Sequence, residues 1–125
     1  MLLDAEPFSR QVIGCAIEVH RTLGPGLLES IYEACLCREL ANARLNFTRQ
    51  AELPVFYKGQ PIDCDLRMDI VVEDALVIEI KAVQSINPIH EAQLLTYLRL
   101  SGFRTGLLLN FNEVRLTDGI RRRLL

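Results

Sequence analysis

Three charged residues, Asp69, Glu79 and Lys81, interrupt a strand pattern in the stretch Arg67 to Val83 at positions that burial alone would not choose. From Ile62 onward the even positions are apolar (Ile62, Cys64, Leu66, Met68, Ile70, Val72) and most odd ones polar, the period-two alternation of a strand with one apolar face. The next run keeps that parity, with Leu76, Ile78 and Ile80 on one face and Val77, Glu79 and Lys81 on the other. A three-residue connection, Glu73-Asp74-Ala75, sets Val72 opposite Leu76 and therefore Asp69 opposite Glu79, with Lys81 one step beyond. Asp74 tolerates the left-handed backbone such a connection tends to need. A two-residue connection would turn Asp69 to the other face, because a slip of one residue inverts every side chain.

Opposed carboxylates repel across a strand pair unless something offsets their charge. A hard divalent cation does so, since Mg²⁺ is commonly held by one or two carboxylates together with waters and phosphate oxygens. Lys81 projects to the same side, where an ammonium stabilises developing negative charge or orients a water. The set suits metal-assisted phosphodiester hydrolysis.

The elements that must position these groups follow from periodicity. A first helix is predicted over Phe8–Leu23, with Ser9 as N-cap and Val12, Ile13, Ala16, Ile17, His20 and Leu23 on its apolar face. Gly24-Pro25-Gly26 ends it. A second helix, Leu27–Ala43, buries Leu28, Tyr32, Cys35, Leu36 and Leu40. Glu29 and Tyr32 are neighbours on it, although the helix dipole alone favours an acid in a first turn.

Strands follow at Ala51–Tyr57, with Pro54 marking an edge strand or a late entry to the sheet, and after a Lys58-Gly59 turn at Ile62–Val72. Asn87 and Pro88 open a third helix, Pro88–Ser101, that places His90, Gln93 and Tyr97 on one stripe. His90 is placed to contact phosphate or simply to cap. The unalternating Gly106–Phe111 reads as a strand buried on both faces, parallel to the Glu79 strand through a helical crossover. Val114–Leu116, an Asp118-Gly119 turn and Ile120–Leu124 read as a closing hairpin.

With 125 residues, half of them hydrophobic, residues 1–125 read as one globular domain. The apolar runs are too short to span a bilayer, and Met1-Leu-Leu-Asp-Ala-Glu-Pro7 lacks a signal core, so a soluble cytoplasmic protein is expected. Cys15, Cys35, Cys37 and Cys64 have no C-x-x-C spacing and read as reduced, packed thiols and not as a zinc site. A net charge of −2 disfavours coating nucleic acid through bulk electrostatics. Arg121-Arg122-Arg123 is the single basic run, a solvated strand end or a phosphate contact. Gly24-Pro25-Gly26 lacks the Lys-Ser/Thr of a phosphate-binding loop, which leaves hydrolysis of a nucleotide second messenger unsupported.

Asp69 followed by Glu79-Ile80-Lys81 resembles the D…(D/E)-x-K signature of the PD-(D/E)XK nuclease superfamily. Val19-His20-Arg-Thr-Leu-Gly-Pro-Gly26-Leu-Leu-Glu29-Ser-Ile-Tyr32 closely resembles the signature of the GxxExxY family of that superfamily, and the resemblance runs from about Val12 to Leu124. Gln93-Leu-Leu-Thr-Tyr97 matches the Q-x-x-x-Y element of the exonuclease-like branch. Met68 stands where the superfamily's name has proline.

The resemblance implies an α/β (α+β) fold with a restriction-endonuclease-like core, a mixed central sheet flanked by helices. It implies that Asp69 and Glu79 bind Mg²⁺ or Mn²⁺ with the Ile80 carbonyl, that Lys81 positions or activates the attacking water, and that Glu29 completes the metal shell directly or through water. Gln93 and Tyr97 would hold the substrate backbone or orient Lys81, and Tyr32 and His20 join them on the substrate side. His20 also reads as an ordinary packed core histidine. The implied activity is a metal-dependent nuclease on DNA or RNA. The alternative is a non-catalytic nucleic-acid-binding or assembly module with the same fold. A symmetric homodimer would place two sites on one duplex.

Overall fold

The computed structural model describes residues 5–125, so the first four residues of the stretch read for a signal sequence lie outside the described residues. Helix α1 spans Glu6–Leu23 and α2 spans Glu29–Asn42. Strand β1 covers Phe47–Glu52, β2 Val55–Tyr57, β3 Gln60–Ile62, β4 Arg67–Val72 and β5 Leu76–Lys81. Helix α3 covers Pro88–Ser101, β6 Thr105–Asn110 and β7 Ile120–Leu124.

Five strands form one mixed sheet in the order β1-β4-β5-β6-β7, in which only β5 and β6 are parallel. The parallel pair is joined through α3, as expected for a strand buried along its whole length. Helices α1 and α2 cover one face, packing Val12, Ala16, Tyr32, Leu36 and Leu40 on Ile70, Val72, Leu76, Ile78 and Ile80. Helix α3 covers the other, with Leu94, Tyr97 and Leu98 on Val71, Val77 and Leu108. Gly106 allows α3 its close approach, because a Cβ there would lie 2.7 Å from the Leu94 side chain.

Several expectations change. Helix α1 begins two residues early, at Glu6, with Ala5 at the cap and Pro7 in the first turn, so Ser9 is a buried helical residue and not the N-cap. Leu28 precedes α2 and is 72% exposed, while Ile17 and Leu23 are also exposed. The run Ile62–Val72 is two strands. β3 pairs with β2 across the Lys58-Gly59 turn in a separate two-stranded sheet, and the chain joins β4 only after exposed Asp63, Cys64 and Asp65. Pro54 marks the matching break between β1, an edge strand, and β2.

Val114–Leu116 forms no strand. Leu116 is buried and begins a 3-10 turn, Leu116–Gly119, and β7 returns to pair with β6. That turn needs glycine at 119, where a Cβ would lie 2.5 Å from the Asn110 carbonyl oxygen.

Candidate active site

The β4–β5 connection is Glu73-Asp74-Ala75, with Val72 paired to Leu76, Val71 to Val77 and Ile70 to Ile78. Glu73 and Asp74 both adopt positive φ, 53° and 49°. Glu73 is held there by its own N–H on the Asn46 carbonyl (2.9 Å) and by its carboxylate accepting from the Asn46 N–H (3.0 Å). The next step of this register would pair Asp69 with Glu79, and there the side chains take over the bonding. Asp69 N–H donates to Glu79 Oε2 and Ile80 N–H donates to Asp69 Oδ2, each at 2.8 Å.

The strand twists about its axis at the same point. Ile70 and Val72 face α1 and α2, whereas Met68 and Leu66 pack on the α3 side, so the even positions do not share one face. On β1 the register pairs Arg49 with Ile70 and Ala51 with Met68 but omits Gln50, which sits at φ 53°. A left-handed residue inside a strand inverts the facing of its neighbours and re-aims side chains, as bulges beside active sites do. Arg49 accordingly turns to Glu33 of α2, and Ala51 packs toward α3.

Taking carboxylates out of water costs several kcal/mol each. One backbone hydrogen bond to a charged group returns about 1.5–3 kcal/mol. The balance is met by protonation: burial, reinforced by the Asp69 charge, pushes the Glu79 carboxyl up to about 8. Burial also raises Asp69, against the lowering effect of the Ile80 N–H bond. Glu79 is 4% exposed, and among the described residues its Oε1 has no protein donor. Once that proton is released, Glu79 beside a second carboxylate suits a hard cation.

Lys81 Nζ donates to Gln93 Oε1 at 3.3 Å, and Gln93 Nε2 donates to the Tyr97 hydroxyl at 3.0 Å. The amide is thereby fixed with its carbonyl toward the ammonium. Burial, followed by the Glu79 and Asp69 charges, raises the Tyr97 phenol, so it stays protonated beside the acids. The face bearing Val77 and Glu79 is therefore covered by α3 and not by the helix carrying Glu29.

Glu29 Oε1 accepts from Ala82 N–H at 3.2 Å, one residue past Lys81, and with Leu27, Leu28, Ser30 and Ala82 it lines an open depression of about 450 Å³. Among the described residues no three His, Cys, Asp or Glu side chains gather into a metal cage, so Glu29 does not close a three-acid cluster with Asp69 and Glu79. The two carboxylates that the Asp69–Glu79 bonds bring together are oxygen donors of the kind that suit a hard divalent cation.

Tyr32 is fully buried and stacked on Phe111; its hydroxyl donates to the Gly24 carbonyl (2.6 Å) and accepts from Leu27 N–H (3.1 Å), fastening the turn that launches α2. His20 Nε2 lies 2.7 Å from the Glu113 carbonyl oxygen. No hydrogen bond joins either residue to Asp69, Glu79 or Lys81 among the described residues. His90 closes a cap, its Nδ1 accepting from Asn87 N–H at 3.0 Å. Arg122 and Arg123 pair with Glu6 and Glu91, and burial pushes the Cys37 thiol up to about 11.

A family model of the PD-(D/E)XK nuclease superfamily matches residues 6–123. The chain belongs to that superfamily. Its mixed sheet flanked by three helices is the restriction-endonuclease-like fold, and PD-(D/E)XK nucleases generally use divalent metals on nucleic-acid substrates. No curated protein and no solved structure matches the chain. No helix among the described residues is long and apolar enough to cross a membrane.

Sequence reasoning missed Glu33 and Gln50. Glu33 is only 7% exposed and accepts from Arg49 Nε (2.5 Å) and Gln50 Nε2 (2.9 Å). Its signal was faint: a helical acid one turn after Glu29, on the same face.

Proposed function

We propose that this PD-(D/E)XK protein hydrolyses phosphodiester bonds in DNA as a nuclease dependent on Mg²⁺ or Mn²⁺. The observation that carries the reading is the reciprocal pair of carboxylate-to-backbone bonds between Asp69 and Glu79, which leaves Glu79 Oε1 free. Asp69 and Glu79, with the Ile80 carbonyl, hold the ion. When bound, a divalent ion supplies charge for the phosphoryl oxygens and lowers the pKa of a water.

Lys81 contributes the ammonium that orients the attacking water, and the Tyr97–Gln93 chain keeps that ammonium from swinging to solvent. Glu29, tied to Ala82 N–H, steadies the chain just after Lys81 and reaches the metal through water. The GxxExxY assignment rests on Gly26, Glu29 and Tyr32 as they stand. The reading carries with it DNA ahead of RNA as substrate, a cytoplasmic location and a symmetric pair of chains.

One observation favours a second reading, a non-catalytic module: two of the three arginines of the basic run are already paired within the chain. Plasmid nicking with Mn²⁺ decides. Lys81→Ala should lower the rate by about 10²–10³-fold, the usual cost of losing one charge-stabilising donor, with an unchanged melting temperature. Equal nicking by wild type and Lys81→Ala would remove the nuclease reading.

A further inference from the structure

We infer that Gln50, held by Glu33, is a positioning residue for the Asp69 carboxylate. This rests on the reading of Asp69 and Glu79 as the metal-binding acids. Gln50 Nε2 stands between two carboxylates, 2.9 Å from Glu33 Oε1 and 3.4 Å from Asp69 Oδ1. With Ile80 N–H on Oδ2, both Asp69 oxygens are then engaged and its carboxyl plane is set.

Two independent features support this. Gln50 holds φ 53°, a left-handed conformation that is strained for an ordinary side chain, and it does so at the point where β1 and β4 both reverse their facing. Strain of this kind persists only where the surroundings enforce it. Glu33, buried on α2, is the enforcing group: Arg49 fixes one of its oxygens, and the other fixes the Gln50 amide so that its NH₂ end, not its carbonyl, meets Asp69. A flipped amide would set a carbonyl oxygen against a carboxylate.

Partners that orient a metal-binding carboxylate are worth about 10–100-fold in metal affinity. Gln50→Gly removes the amide yet suits the left-handed backbone, so it separates positioning from folding. Calorimetric titration of the full chain with Mn²⁺ should show Gln50→Gly binding about 10-fold more weakly at an equal or higher melting temperature. Glu33→Gln should shift affinity in the same direction. Without metal, the Asp69 carboxyl carbon resonance, sharp in wild type, should broaden or move toward that of an exposed aspartate in Gln50→Gly.

Wild-type affinity together with a wild-type resonance in Gln50→Gly would overturn the inference. So would a loss of affinity that appears only with a matching fall in melting temperature. If the wild-type chain bound no Mn²⁺, the metal reading would fall and the carboxyl resonance alone would decide whether Gln50 positions Asp69.

Discussion

The two ends of the β4–β5 hairpin are built on opposite terms. At the turn end, Ile70, Val71, Val72, Leu76, Val77 and Ile78 follow a regular register and are buried in apolar contacts on both faces. At the other end, one step past Ile70 and Ile78, backbone partners give way to carboxylates and the interior holds an acid that a proton must quiet. One hairpin therefore supplies rigidity at one end and unsatisfied charge at the other, and the second is tolerable because the first is so well packed.

The contrast breaks most visibly at its dry end. Ile78→Ala should cost about 4 kcal/mol of stability, the upper part of the range for a fully buried aliphatic side chain, while Mn²⁺ affinity in the surviving folded protein stays near wild type. Chemical denaturation and calorimetry measure the two. Equal losses in both would mean that the ends are not separable.

A smaller effect sharpens the wet end. Glu79 binds its proton more tightly when folded, with a pKa of about 8 against an ordinary 4.5, so its contribution to stability is complete below about pH 4.5. It is lost as pH rises through about 8, because the folded state then holds a proton that the unfolded state has released. Asp69, also raised, has the same sign. Metal-free protein should melt several degrees lower at the top of this window than at the bottom, Glu79→Gln should flatten the slope, and saturating Mn²⁺ should oppose it by binding the ionised pair. A melting temperature that climbs across the window would contradict the placement of Glu79.

The smallest effect lies in the turn. Asp74 holds φ 49°, and relief of left-handed strain less the added entropy of glycine leaves Asp74→Gly about 0.5 kcal/mol more stable. Nicking activity should not change.

The acids and their register were legible in the sequence because the turn length and the parity of Leu76, Ile78 and Ile80 admit one alignment that buries the apolar set. The crossover through α3 was legible from the unbroken Gly106–Phe111 run, and the Gln93–Tyr97 pair from helical spacing. What stayed hidden depends on distant partners. Alternation from Ile62 to Val72 does not say which sheet each half joins, nor that facing reverses at Asp69. Glutamine carries no turn preference, so nothing local marked Gln50 as left-handed, and Glu33 looked like one more helical acid. Which helix lies over Glu79 is set by the packing of Leu94 against Gly106, a contact between elements that no window of the chain contains.

That contact has a consequence for tuning. Leu94 rests on a residue with no side chain, and Gln93, its immediate neighbour, grips the ammonium of Lys81. The height of the helix above the sheet thus sets the reach of the grip, so a single methyl group added at position 106 would loosen a lysine it never touches.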